Sequence, residues 1–284
     1  MCLLMCLGSA QGNPAVTDAF PFQFREGMIW VEVQPAHSSN VLHFIVDSGA
    51  QVSVINLRVA RQLRVTDGVP AVVRGVKSGA VGYWPEYLKA HLGKTALPTD
   101  YLAVNLDELS QACHGDVDGL IGEDFFQQHV VRIDFTAREI RLLPSVTAEA
   151  GDIVLPMKTG GGRLRAPVTI NSGKMQWFRV DTGCASPLQW VDQGTPPPFG
   201  PRQIAVGLSQ VSMPLIQTSI RLGSIEFKDV QTGLQENRLF AGEDGLLGSG
   251  LMSRFSVVTI ASSARCLILQ TNSQPASSAS SPKR

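Results

Sequence analysis

An apolar run that ends in Asp-Ser/Thr-Gly occurs twice in this chain, as FIVDSGA around Asp47 and as FRVDTGC around Asp181. A carboxyl at the end of a buried strand is costly unless hydrogen bonds or a raised pKa relieve it. The next two residues supply that relief. A hydroxyl at Ser48 or Thr182 can bond backbone or carboxylate. Gly49 and Gly183 permit a tight turn that aims backbone N–H groups at the acid.

Two further landmarks follow each triplet in the same order. The first is a short strand ending in Leu-Gly, LKAHLG up to Gly93 and SIRLG up to Gly223. The second is DGLIG at 118–122 and DGLLG at 244–248, each followed by an apolar stretch. The segments ahead of the triplets, FQFREGMIWVEV and LPMKTGGGRLRAPVTI, both read as strand, Gly turn, strand. A unit used twice predicts two similar lobes. The N-terminal lobe is placed at 20–147 and the C-terminal lobe at 148–270, divided within PSVTAEAGD.

Short β-branched or aromatic runs separated by turn residues, among them IWVEV, LHFIV, APVTI and SVVTI, predict an all-β chain. Short helices are expected at 56–64, 124–129 and 250–254. One Asp-Ser/Thr-Gly triplet is an ordinary turn. Two of them, one per lobe, can meet across a pseudo-twofold axis. Carboxyls in contact cannot both ionise easily and so share a proton, which gives one base and one acid. Asp118 and Asp244 are read as turn starters and not as a second working pair.

Composition narrows the classes. The 284 residues carry 24 Lys plus Arg against 24 Asp plus Glu, so no basic face for nucleic acid is implied. Hydrophobic residues at 44% and charged residues at 17% suit a folded chain. The five histidines show no metal-ligand spacing, so neither metal nor cofactor is expected. Cys113, Cys184 and Cys266 suggest no disulfide framework, and Cys184 reads as a small buried side chain and not as a nucleophile. Residues 1–19 read as a truncated signal and leader, which points to a secreted or periplasmic, cell-envelope protein. Residues 271–284, rich in Ser, Ala and Pro, read as a disordered tail.

The doubled triplet and the doubled hydrophobic-hydrophobic-Gly resemble the pepsin and retropepsin superfamily of aspartic peptidases, in its bacterial duplicated, retropepsin-like form, over residues 20–270. The resemblance implies two β-barrel-like lobes related by a pseudo-twofold axis, with a cleft between them. It implies Asp47 and Asp181 as the catalytic pair, Ser48 and Thr182 interlocked beneath them, and Gly49 and Gly183 presenting N–H groups. It gives Gly122 and Gly248 a structural part in the loop through which the catalytic strand passes. It implies a flap hairpin within GVKSGAVGYW, with Gly79, Tyr83 and Trp84 against substrate, and a different flap, if any, in AVGLSQVSMP. The activity implied is that of an aspartic endopeptidase acting as a monomer on peptide or protein substrates. An inactive module that holds extended peptides is the alternative.

Two departures stand out. Ala50 and Cys184 replace the hydroxyl residue expected after each triplet glycine, which should raise the pair's pKa values and give a milder pH optimum. Arg179, two residues before Asp181, would lower that acid's pKa if it faced inward and would be harmless if it faced solvent.

Overall fold

A computed structural model describes residues 16–271 apart from 66–67, 76–77, 86, 162, 193, 195–198, 207 and 239. The leader up to residue 15 and the tail from 272, both assigned from sequence, lie outside the described residues. The chain is all-β with a few one-turn helices. Its first half holds β1 (Asp18–Pro21), β2 (Gln23–Arg25), β3 (Met28–Pro35), β4 (Leu42–Val46), β5 (Val54–Asn56), α1 (Leu57–Gln62), β6 (Val69–Gly75) and β7 (Ser78–Trp84). β8 (Ala90–Leu92), β9 (Thr95–Ala96), β10 (Leu102–Val104), α2 (Asp107–Ala112), β11 (Gly119–Ile121), α3 (Glu123–Gln128), β12 (Val130–Asp134) and β13 (Glu139–Leu143) complete it.

The second half holds β14 (Ile153–Pro156), β15 (Lys158–Thr159), β16 (Leu164–Ile170), β17 (Met175–Asp181), β18 (Leu188–Val191), β19 (Phe199–Val206) and β20 (Ser209–Leu222). It ends with β21 (Ile225–Gln235), β22 (Gly245–Gly248), α4 (Ser249–Met252), β23 (Val257–Ala261) and β24 (Cys266–Gln270). Three of the helices fall where the sequence suggests. α2 does not: DELSQA has no apolar period, and its start is held by Asn105, whose side chain accepts from the Asp107 N–H at 2.7 Å.

Three sheets organise these strands. One runs β6-β7-β10-β5-β11-β4-β3-β8-β9, with β2 paired to β3. Another runs β19-β20-β21-β18-β22-β17-β16-β15, so in both sheets the strand leading into a triplet lies parallel to the Gly-Leu-Ile/Leu strand. The third sheet, β1-β13-β12-β23-β24-β14, draws three strands from each half. Its centre is the antiparallel pair β12 and β23, where Val131 faces Ile260 and Ile133 faces Val258. All five residues of β23 are buried, as expected of a strand covered on both faces. β16 alternates buried Leu164, Ala166, Val168 and Ile170 with half-buried neighbours, the period of a one-sided strand. One apolar core runs through both halves, joining Phe44 and Val46 to Phe178 and Val180. It ties the two triplet-bearing strands into a single packed body.

Candidate active site

Asp47 follows β4 directly and Asp181 is the last residue of β17. Both are buried, at 2% and 5% exposed. The strands that carry them are clamped alike. Asp118 accepts from the His43 N–H at 2.9 Å and Asp244 accepts from the Trp177 N–H at 2.9 Å, each four residues ahead of a triplet Asp. Their own N–H groups return bonds to the carbonyls of the same two residues. The two acids that the sequence presents as turn starters thus pin the strands leading to Asp47 and Asp181. Gly122 and Gly248 leave no room for a Cβ, which would lie 2.3 Å from the Val52 carbonyl carbon and 2.0 Å from the Ser186 oxygen.

The two triplets meet. The Ser48 N–H donates to Thr182 Oγ1 at 2.8 Å, and the Thr182 N–H donates to Ser48 Oγ at 3.1 Å. Each hydroxyl then donates across to the strand before the other triplet, Ser48 to the Val180 carbonyl at 2.8 Å and Thr182 to the Val46 carbonyl at 2.7 Å. All four bonds are buried, where an unmade bond is most expensive. The glycines follow the same exchange. A Cβ on Gly49 would lie 2.4 Å from Asp181 Cγ, and one on Gly183 would lie 2.2 Å from Asp47 Cγ. Each carboxyl therefore packs against the other triplet's glycine.

Each carboxyl alters the other's ionisation, but they are not equivalent. Asp47 Oδ1 accepts from the N–H groups of Gly49 at 2.9 Å and Ala50 at 3.0 Å. The Gly183 N–H favours the charged form of Asp181, but the buried Oδ1 of Asp181 finds no partner among the described residues. Burial pushes Asp47 above the usual carboxylate range, opposed by its two N–H bonds and by the Arg179 charge. Burial and the adjacent Asp47 carboxyl push Asp181 well above it. One buried proton on such a pair rests on Asp181.

Arg179 faces inward and is buried at 6% exposed, but it does not stand alone. Its Nη2 donates to Glu243 Oε1 at 2.7 Å and Oε2 at 2.8 Å, its Nε to Oε1 at 3.1 Å, and its Nη1 to the Gly49 carbonyl at 2.8 Å. Glu243 was not among the expected residues. Its signal was a mismatch between the halves: it sits just before DGLLG, where the first half has Val117 before DGLIG.

Among the remaining candidates, Cys184 is fully buried. Its Sγ contacts Ser186 Oγ at 3.1 Å, and burial raises its thiol far out of nucleophilic range. The cysteines at 113, 184 and 266 are unbonded to one another. β6 and β7 form a hairpin at the proposed flap, with Gly79 opposite Arg74 near its tip. Tyr83 opposes Pro70 and Trp84 opposes Val69, so both aromatics lie at the hairpin's root. The register of a seven-pair hairpin leaves them no place at its tip; Tyr83 instead pairs with Ala103 on β10. The second-half counterpart, β19 and β20, is also a hairpin, and its Ala205 carbonyl accepts from the Ala185 N–H at 3.2 Å. No group of His, Cys, Asp and Glu among the described residues is arranged to hold a metal ion. Residues 22–134, which include Asp47, its hydroxyl neighbour, the first hairpin and Gly122, match the model of the family described as aspartyl protease.

Proposed function

We propose, from the match of residues 22–134 to the aspartyl protease family model, that this protein is an endopeptidase using Asp47 and Asp181 as its catalytic pair. The observation that carries the reading is a pair of buried carboxyls, each packed against the other triplet's glycine, with unequal hydrogen-bond support. In this reading the chain comprises two lobes, 20–147 and 148–270, and residues of both contribute to one site.

Asp47 is the base and Asp181 the acid. A water between them gives its proton to Asp47 as its oxygen bonds the scissile carbonyl carbon. Asp181 donates its proton to the carbonyl oxygen, which becomes a hydroxyl of the tetrahedral intermediate. Collapse breaks the C–N bond, the amine leaves with the proton held by Asp47, and the hydroxyl proton returns to Asp181. Positioned proton transfer of this kind contributes about 10²–10⁴-fold in rate. Ser48 and Thr182 hold the two carboxyl-bearing loops together. Gly49 and Gly183 allow the carboxyls to touch. The substrate is an extended peptide or unfolded protein lying between the lobes, bonded strand-fashion beneath the β6–β7 hairpin. We extend the proposal to a monomer exported to the cell envelope or beyond.

Incubation with a reduced, denatured protein tests this. Internal cleavage that pepstatin blocks is the expected result. Intact substrate that nevertheless binds the protein would favour the inactive peptide-holding module.

A further inference from the structure

Arg179 and Glu243 break the correspondence between the halves. The matching positions, two residues before Asp47 and one before Asp118, hold Ile45 and Val117, both buried and apolar. Burying a guanidinium and a carboxylate costs several kcal/mol per ion before their attraction is counted. A purely packing role would be served by the apolar pair that the first half uses.

The guanidinium has one bond that points away from Glu243. Nη1 donates to the Gly49 carbonyl, and that carbonyl belongs to the same peptide unit as the Ala50 N–H, which donates to Asp47 Oδ1. A cation bonded to one end of a peptide unit polarises it and strengthens the N–H at the other end as a donor. Both this N–H and its counterpart in the second triplet donate to a backbone carbonyl, Ala50 to Asp47 at 3.2 Å and Cys184 to Asp181 at 3.3 Å, but only the Ala50 N–H also bonds the carboxyl. Through this peptide unit the cation reaches only Asp47, although its charge favours ionisation of both carboxyls.

We propose that Arg179 is a positioning residue that decides which carboxyl is the base: through the Gly49–Ala50 peptide it favours negative charge on Asp47 and leaves the proton on Asp181. Glu243 holds the guanidinium in place with three bonds, and the Phe240 ring lies 4.7 Å from its carbon. The other titratable or charged groups that act on this cluster are Asp181, Cys184, Glu123 and Arg163, the last 3.6 Å from Glu243. The catalytic meaning of this assignment rests on the peptidase reading; the assignment itself does not.

The test is a carbon-13 carboxyl titration of the full chain, followed by NMR, for wild type, Arg179→Met and Arg179→Lys, beside a pH profile of kcat/KM. In wild type Asp47 should ionise below Asp181. In Arg179→Met its midpoint should rise by about one pH unit or more, and the acidic limb of the profile should move with it. Arg179→Lys, whose single ammonium cannot hold Glu243 and Gly49 together, should fall between. An arginine that only supports packing would lower kcat/KM equally at every pH with the midpoints unmoved, and that result overturns the proposal. If the Met variant does not fold, an unmoved Asp47 midpoint in Arg179→Lys overturns it equally. A wild type that titrates as stated but cleaves nothing removes the peptidase reading and keeps the assignment. Cleavage with an Asp47 midpoint insensitive to residue 179 does the reverse.

Discussion

Burial and the neighbouring Asp47 carboxyl hold the Asp181 proton well above the usual carboxylate range, so the folded chain resists an ionisation that the unfolded chain undergoes freely. Below the unfolded pKa of about 3.9 both states are protonated and no penalty exists. The penalty grows as pH rises from there and is complete above the folded pKa. Asp181→Asn should therefore unfold at a higher temperature than wild type near neutral pH and at a similar one near pH 3; equal melting at both would remove the electrostatic cause. The same shifts set the activity window. The base must be ionised and the acid protonated, and both pKa values are raised, so the bell-shaped profile should peak above that of an enzyme with ordinary carboxylates. A maximum in strong acid would contradict this. Gly183→Ala should abolish cleavage, because the new methyl would fall where the Asp47 carboxyl now lies. An active alanine variant would mean that the two loops can separate without loss. At this scale the triplet residues were readable from sequence because their chemistry is local. The direction of Arg179 was not, since it depends on Glu243, a residue 64 positions away that only the fold brings close.

The two triplet turns are held to each other and not to their own sheets alone. Replacing Ser48 and Thr182 by Ala removes four crossing bonds and leaves buried N–H and C=O groups orphaned. Each substitution should cost about 1–3 kcal/mol of stability. Ser48→Ala removes two of these bonds and Thr182→Ala the other two. Because all four join the same two loops, losing one pair loosens the seat of the other, and the double variant should cost less than the sum of the singles; strict additivity in denaturant titrations would show that the hydroxyls act separately. The strands that carry these turns were legible as β-branched runs between turn residues. α2 was not legible, because six residues without an apolar stripe take their helical form from capping and packing. The hairpin register that takes Tyr83 and Trp84 to the root was equally hidden, since aromatic residues near a Gly-rich turn carry no statement of which pair they join.

Across the whole molecule, the sheet β1-β13-β12-β23-β24-β14 joins the halves through one antiparallel seam. The sequence showed VVRIDF and SVVTI as strands but not that they pair, because pairing between residues so far apart leaves no local pattern. Cutting the chain within the segment between β13 and β14 would expose β12 and β23 as bare edges, a template for association. The separate pieces 16–147 and 148–271 should aggregate or self-associate alone and recover a one-to-one complex when refolded together; two well-behaved monomers would show that the seam is dispensable. What unites the scales in the proposed reading is one proton divided between two side chains that come from opposite halves. The most direct test is digestion of an unfolded protein by wild type beside Asp47→Asn and Asp181→Asn, each checked for native melting. The account predicts that either variant loses cleavage at every pH from acid to neutral. Cleavage that survives in both folded variants would contradict it.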